Sequence, residues 1–197
     1  MLNKGNIYLT RTSLPAVYTA YLEQFQRDFK LLLKSRSEEL KLEGSMVFSF
    51  IGREEDQEIN YPWVVLGMVL NDMVLEGMIE EKKLDSFNVP LYCPTIEEVK
   101  QIIEAEGSLT LQTLNTFKMG WDSNLQEDVH DFVVDNQMRG EFIAKYTRAG
   151  FEPLLVDEFD KDIMDELFSR FEKKLSQLRD LDKLQYTFLV MSLIKAS

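Results

Sequence analysis

The stretch "TIEEVKQIIEAEG" (95–107) runs directly into "SLTLQTLNTF" (108–117), and that junction decides the fold class. Thr95 with Glu98 three residues on is a capping box, so a helix begins there, and Gly107 stops it. Beyond Gly107, apolar and polar residues alternate as they do in a half-buried strand. A helix has handed over to a strand.

The same alternation of element types extends outward in both directions. Upstream, "SMVFSFIG" (45–52) reads as a strand buried on both faces. "WVVLGMVLNDMVLEG" (63–77) places Trp63, Leu66, Leu70 and Val74 on one helical stripe, closed by Gly77. Further back, Val17, Tyr21, Phe25, Phe29, Leu32 and Leu40 recur at helical spacing over about 13–41, with Ser13 as a capping residue and Pro15 in the first turn. Between strand and helix, "REEDQEIN" (53–60) reads as a surface loop, and "EKKLDSFNVPLYCPT" (81–95) as an ordered loop. Downstream, a weaker helical pattern over about 128–149 breaks at Pro153. An amphipathic helix follows over about 160–180, with Ile163, Leu167, Phe171 and Leu175 on its stripe, and "YTFLVMSLI" (186–194) closes the chain as a buried strand. The pattern is α/β, with few strands for so much helix. The simplest account is a sheet that continues in sequence outside this chain, with a helical layer standing on it.

Composition narrows the function classes. The 197 residues carry a net charge of −12, which argues against nucleic acid and anionic membrane surfaces, since both are held by excess Lys and Arg. No apolar run approaches the roughly 20 residues of a membrane span. One cysteine, Cys93, cannot form an internal disulfide, and fits a reducing, cytoplasmic setting. With one Cys and one His, a zinc site fails on ligand count. His130, in "EDVHDF", reads as a surface histidine. No nucleophile elbow or phosphate-binding glycine loop is present.

The 81–95 stretch is unusual for a connector because it holds a Phe, a Tyr and two Pro. Asp85 and Asn88 offer hard oxygens that suit magnesium or calcium, and they equally describe a turn held by its own side chains. Trp63 and Tyr92 each combine an apolar body with a polar tip, which suits either a small-molecule pocket wall or ordinary core packing.

Several strings together resemble the plant SABATH methyltransferases, S-adenosylmethionine-dependent enzymes of the salicylate, benzoate, jasmonate and theobromine type. They are "NKGNIYL" (3–9), "AYLEQFQRDF" (20–29), "RSEEL" (36–40), "LNDMVLEGMIEEKKLDSFNVPLY" (70–92) and "RAGFEPLL" (148–155). The resemblance runs in order along the whole chain and is to the C-terminal half of the family. It implies the C-terminal part of a Rossmann-like methyltransferase sheet with a helical cap over the acceptor pocket. Strands are then expected near 45–52, 108–117 and 184–194, and the cap mainly at 61–78 and 126–157. It implies S-adenosylmethionine as methyl donor, with its binding loop in the family's other half and no cofactor residue assigned here. A fragment or truncated product, inactive and marginally folded by itself, is the corresponding expectation.

Residue by residue, the resemblance implies a magnesium site at Asn3, Asp85, Phe87 and Asn88, with Phe87 able to offer only its carbonyl. It implies acceptor contacts at Trp63, Tyr92, Thr147, Gly150 and Tyr186. Two places depart from the salicylate type: "TRAG" (147–150) stands where that type reads "MRAV", and Tyr186 stands for a Phe. Smaller side chains at 147 and 150 should open the pocket, and the Tyr hydroxyl adds a polar point. The implied reaction is carboxyl methylation of a small plant acid. No catalytic residue is assigned, because a carboxylate is already ionised near pH 7. The alternatives are N-methylation of a purine-like heterocycle, or a non-catalytic truncated partner. A homodimer is among the assemblies this reading allows.

Overall fold

The computed structural model describes residues 2–10, 12–55, 61–128 and 134–195, so His130 lies outside the described residues. In chain order the elements are α1 (Pro15–Glu39), β1 (Ser45–Gly52), α2 (Pro62–Leu75), α3 (Glu81–Ser86), α4 (Ile96–Glu106), β2 (Thr110–Gly120), α5 (Ser123–Asp128), α6 (Asn136–Phe159), α7 (Met164–Ser176) and β3 (Gln185–Ile194). The fold is α/β, and it divides into two compact units. One comprises Met1–Leu14, Ile59–Val89 and Gly120–Gln185, and the other Pro15–Glu58, Pro90–Met119 and Tyr186–Ser197.

The second unit holds the sheet, in the order β1-β3-β2. β1 pairs antiparallel with β3, and Phe48 faces Met191 while Phe50 faces Leu189. Phe117 stacks on Phe188 at 5.0 Å, and Thr113 bonds Ser192 at 2.8 Å. As the index rises along β2 it falls along β3, so that pair is antiparallel too and β1 runs parallel to β2. Leu189, Met191 and Leu193 alternate onto one face of β3. There they pack with Phe29 and Leu33 of α1 and Val99, Ile102 and Ile103 of α4. Met46, Phe48 and Phe50 join from β1.

Two expectations are corrected here. β1 is not buried on both faces. It is an edge strand whose Val47 is 68% exposed, because the layer formed by α1 and α4 covers only the face bearing Phe48 and Phe50. On α1 the inward residue is Leu33, fully buried, whereas Leu32 is exposed. A step of four from Phe29 keeps Leu33 on its face, and Leu32 falls outside the stripe. α4 is closed at both ends by local chemistry. Thr95 and Glu98 form the reciprocal capping box, and Gly107 takes a left-handed φ of 78°.

The first unit is helical. α2 starts with Pro62 at its first turn and buries Trp63, Val65, Leu66, Val69, Leu70 and Met73. Its last buried contact is Met73; Val74 is only half-buried. α2 is thus apolar around most of its girth, wider than a single stripe. α6 and α7 pack closely at Gly140, where an added Cβ would lie 3.0 Å from the Ser176 backbone nitrogen and 3.1 Å from the Glu172 carbonyl. α7 buries Leu167, Phe168, Phe171 and Leu175.

Two further readings change in this unit. "EKKLDS" forms the short helix α3, stitched by Lys83 N to Glu80 O at 3.0 Å, so the loop proper begins at Phe87. Pro153 does not break α6, which continues to Phe159. Leu155 and Phe159 beyond the proline are buried, and their packing offsets the lost backbone bond, whose usual cost is about 3 kcal/mol.

Candidate functional site

In the helical unit, Trp63 is the centre of an aromatic group. It stacks on Tyr61 at 4.6 Å and on Phe151 at 5.8 Å, and Tyr8 meets it edge-on at 5.8 Å. Phe151 lies one helical turn after Thr147 on α6, so both project to the same side of that helix. Thr147 is 3% exposed, and its hydroxyl makes no hydrogen bond to any described residue. A buried hydroxyl without a partner is uncommon and points to a group that would satisfy it. Gly150 differs from Thr147: it is exposed, and a Cβ added there meets nothing within 4 Å. Tyr8, Tyr61 and Phe151 escaped the sequence reading. Phe151 carried a signal: it lies in the quoted "RAGFEPLL" string, four residues after Thr147.

In the sheet unit, Tyr186 is buried and meets Phe188 edge-on at 6.1 Å. The Tyr92 hydroxyl is taken up by a polar cluster. It lies 2.8 Å from Glu98 Oε1 and 2.9 Å from the Tyr18 hydroxyl, and Arg53 Nη2 donates to it at 3.3 Å. Glu98 Oε1 also accepts from Arg53 at 2.9 Å and from Tyr18 at 2.9 Å, while Oε2 accepts from the Thr95 backbone nitrogen at 2.8 Å. The Arg53 guanidinium lies over the Tyr18 ring, 5.3 Å from its centroid. Glu98 therefore does two tasks, capping α4 and neutralising Arg53. The capping box announced only the first. With its hydroxyl engaged there, Tyr92 has its ring, rather than its polar tip, left to offer a ligand.

Burial, and after it the Glu98 charge, pushes the Tyr92 phenol well above its ordinary range. Burial alone pushes Tyr21 of α1 from 10.0 up to about 12. A folded-state pKa above the unfolded one means that the unfolded chain gives up its proton first as pH rises. Stability should therefore be unaffected below pH 10 and fall progressively toward pH 12. Urea midpoints measured across that window should drop, and Tyr21→Phe should reduce the drop.

The residues that the resemblance assigns to magnesium come together in the helical unit. Asn3 is 5% exposed, and its Nδ2 donates to Asn88 Oδ1 at 2.9 Å. Its own Oδ1 accepts from the Ser13 hydroxyl at 3.2 Å. Asp85 Oδ1 accepts from Gly5 N at 3.0 Å, and Oδ2 lies 3.6 Å from Lys4 Nζ. Phe87 meets Phe159 edge-on at 5.2 Å. Magnesium requires a near-octahedral set of oxygens at about 2.1 Å. Here an amide nitrogen faces the Asn88 oxygen, and an ammonium stands beside the one carboxylate of the set. Among the described residues, no group of three or more His, Cys, Asp or Glu could hold a metal ion. The arrangement does not fit magnesium, and no chemical step is derived through it.

No helix among the described residues is long and apolar enough to cross a membrane. A family model described as SAM dependent carboxyl methyltransferase matches residues 1–196. The chain is 40% identical over 198 residues to the benzoic acid/salicylic acid carboxyl methyltransferase 2 of Petunia hybrida, covering 98% of this chain and 53% of the relative. It is 38% identical over 194 residues to the 7-methylxanthine methyltransferase 1 of Coffea canephora, covering 98% and 51%. A solved loganic acid methyltransferase with SAH superposes with a TM-score of 0.81 at 28% identity, over 99% of this chain and 54% of that one. The chain spans about half the length of the relatives it matches.

Proposed function

Because the chain belongs to the SAM-dependent carboxyl methyltransferase family, we propose that it supplies the acceptor-recognising residues for methyl transfer to the carboxylate of a small organic acid. In the helical unit the residues that serve this are Trp63, Thr147 and Gly150. The observation that carries the reading is the buried Thr147 hydroxyl, without a hydrogen bond to any described residue, one helical turn from the Phe151 ring that stacks on Trp63. A rigid aromatic group beside one polar point suits a planar acid. A setting in the reducing cytoplasm agrees with the single, buried Cys93.

S-adenosylmethionine supplies a methyl group on a sulfonium, and the carboxylate oxygen takes it in one displacement while the S–C electron pair stays on sulfur. No proton moves, since a carboxylic acid with a pKa of about 4 is ionised at neutral pH. The residues of this chain therefore need only orient the acid and strip water from it. The rings around Trp63 hold water away from the acid, which raises the energy of its carboxylate and its reactivity, and the Thr147 hydroxyl offers one donor to fix its direction.

The coffee relative, 38% identical to this chain against 40% for the Petunia one, supports a second reading, N-methylation of a purine-like heterocycle. Both are tested by joining the chain to the first half of the Petunia relative and supplying radiolabelled S-adenosylmethionine with benzoic, salicylic and jasmonic acids and methylxanthines. Methyl esters as the main products support the proposal, and N-methyl products alone overturn it. Sedimentation of the same protein decides whether it forms a homodimer.

Gly150 is the position at which to probe acceptor choice, because a Cβ added there meets nothing within 4 Å. Gly150→Val should shift the kcat/KM ratio between bulky and small acids by about 10- to 200-fold, the usual reach of a methylene-scale mismatch. An unchanged ranking would remove Gly150 from the acceptor contacts. Gly150→Ala should leave unfolding intact or stabilise it by about 0.5–1 kcal/mol, as expected within a helix.

A further inference from the structure

The misfit at the magnesium residues follows from how the N-terminal turn is built. Gly5 has a φ of 72°, a left-handed conformation that glycine adopts without strain and that aims its N–H at Asp85. The turn is then sewn to the segment after α3: Val89 N donates to Ile7 O at 2.7 Å, and Asn3 bonds Asn88. Asn3 Nδ2 sits among three oxygens, Asn88 Oδ1 at 2.9 Å, Asn6 O at 3.3 Å and Tyr8 O at 3.4 Å. Turning the amide over would point its oxygen at all three, so the nitrogen is held in that place. Where a hard cation would gather oxygens, the chain puts its own N–H groups.

Charge follows the same logic. Both Asp85 oxygens face donors of the turn, the Gly5 N–H and the Lys4 ammonium, and Lys4 also pairs with Glu81 at 3.1 Å. We propose that Lys4 acts as an internal cation that excludes a divalent ion from Asp85, making the Asn3–Asp85–Asn88 cluster a metal-free clasp between the N-terminal turn and the end of α3. A second positive charge a few ångströms from an ammonium is repelled even in water, and the repulsion is stronger near protein. The Lys4 side chain is 66% exposed, so replacing it leaves the core packing untouched. A cleft lined by Lys4, Glu81, Leu84 and Asp85 gives ions a path to the carboxylate once the ammonium is gone.

Calorimetric titration with magnesium chloride, together with thermal midpoints in magnesium and in EDTA, tests this on the full chain. The natural sequence and Lys4→Arg should show no saturable binding and equal midpoints in the two conditions. Lys4→Met should show saturable magnesium binding and gain a magnesium-dependent rise in midpoint, both lost again when Asp85→Asn is added. Saturable binding to the natural sequence that Asp85→Asn abolishes would overturn the proposal. So would a Lys4→Met protein as indifferent to magnesium as its parent. No methyl transfer is read, so this outcome is separate from that of the acceptor assignment.

Discussion

Replacing Glu98 with alanine is expected to cost about 3–5 kcal/mol of folding stability, the range seen when one partner of a buried ion pair is removed. The side chains of Arg53 and Glu98 are only 10% and 17% exposed, so Arg53 would be left charged with little water to solvate it. Its Nε already lacks a hydrogen bond to the described residues, and Nη2 would lose its carboxylate. Tyr18 and Tyr92 would each lose an acceptor, and α4 would lose half of its capping box, the removal of a capping interaction adding about 1 kcal/mol. Glu98→Gln separates these effects. Gln can still serve the capping box, so its deficit should be smaller and come mainly from the lost charge. Urea unfolding of both variants is the check; a loss below about 1 kcal/mol in Glu98→Ala would show that water enters the cluster freely.

Trp63→Ala is the second large effect, about 3–5 kcal/mol, as for other aromatic truncations in a packed interior. The ring is 5% exposed and touches Tyr61, Tyr8 and Phe151. Deletion would leave a void bounded by three rings that cannot all move in, because Tyr61 and Tyr8 are themselves almost fully buried. Trp63→Phe keeps the stack and should recover much of the loss. If the acceptor reading holds, the two variants should also separate fold from function. Trp63→Phe should unfold near the parent's midpoint yet shift the acid ranking, whereas Trp63→Ala should fail in both. Circular dichroism melting gives the first comparison and the methyl-transfer panel the second.

Features set by neighbouring residues were legible in the sequence. The Thr95–Glu98 box and the Gly107 stop involve residues within one turn of their helix, and the geometry realises both. α7 carried its stripe openly, because Leu167, Phe171 and Leu175 recur every four residues and each residue between them except Phe168 is polar. The family strings were legible for another reason: they are identities of sequence and need no geometry to be recognised. Pro153 misled because local propensity weighs a lost hydrogen bond but not the burial of Leu155 and Phe159 beyond it. β1 misled because a continuous apolar run does not say how many layers will cover it.

The sequence alone determined the α/β class, the main helices and strands, and the family. Each of these follows from residue type, or from spacings of a few residues that backbone geometry translates directly into turns and faces. The tertiary structure decided which groups meet. Arg53 reaches Glu98 across 45 positions and Tyr92 reaches Tyr18 across 74, so the Tyr92 hydroxyl is engaged in a charged cluster that spacing does not show. Asn3 reaches Asn88 across 85 positions, and with Lys4 beside Asp85 an apparent metal site becomes a hydrogen-bonded clasp. Pattern reading names a side chain and its face. The direction of its polar atoms is settled only by the partners that folding brings to it, because a donor or charge leaving water must be matched where it lands.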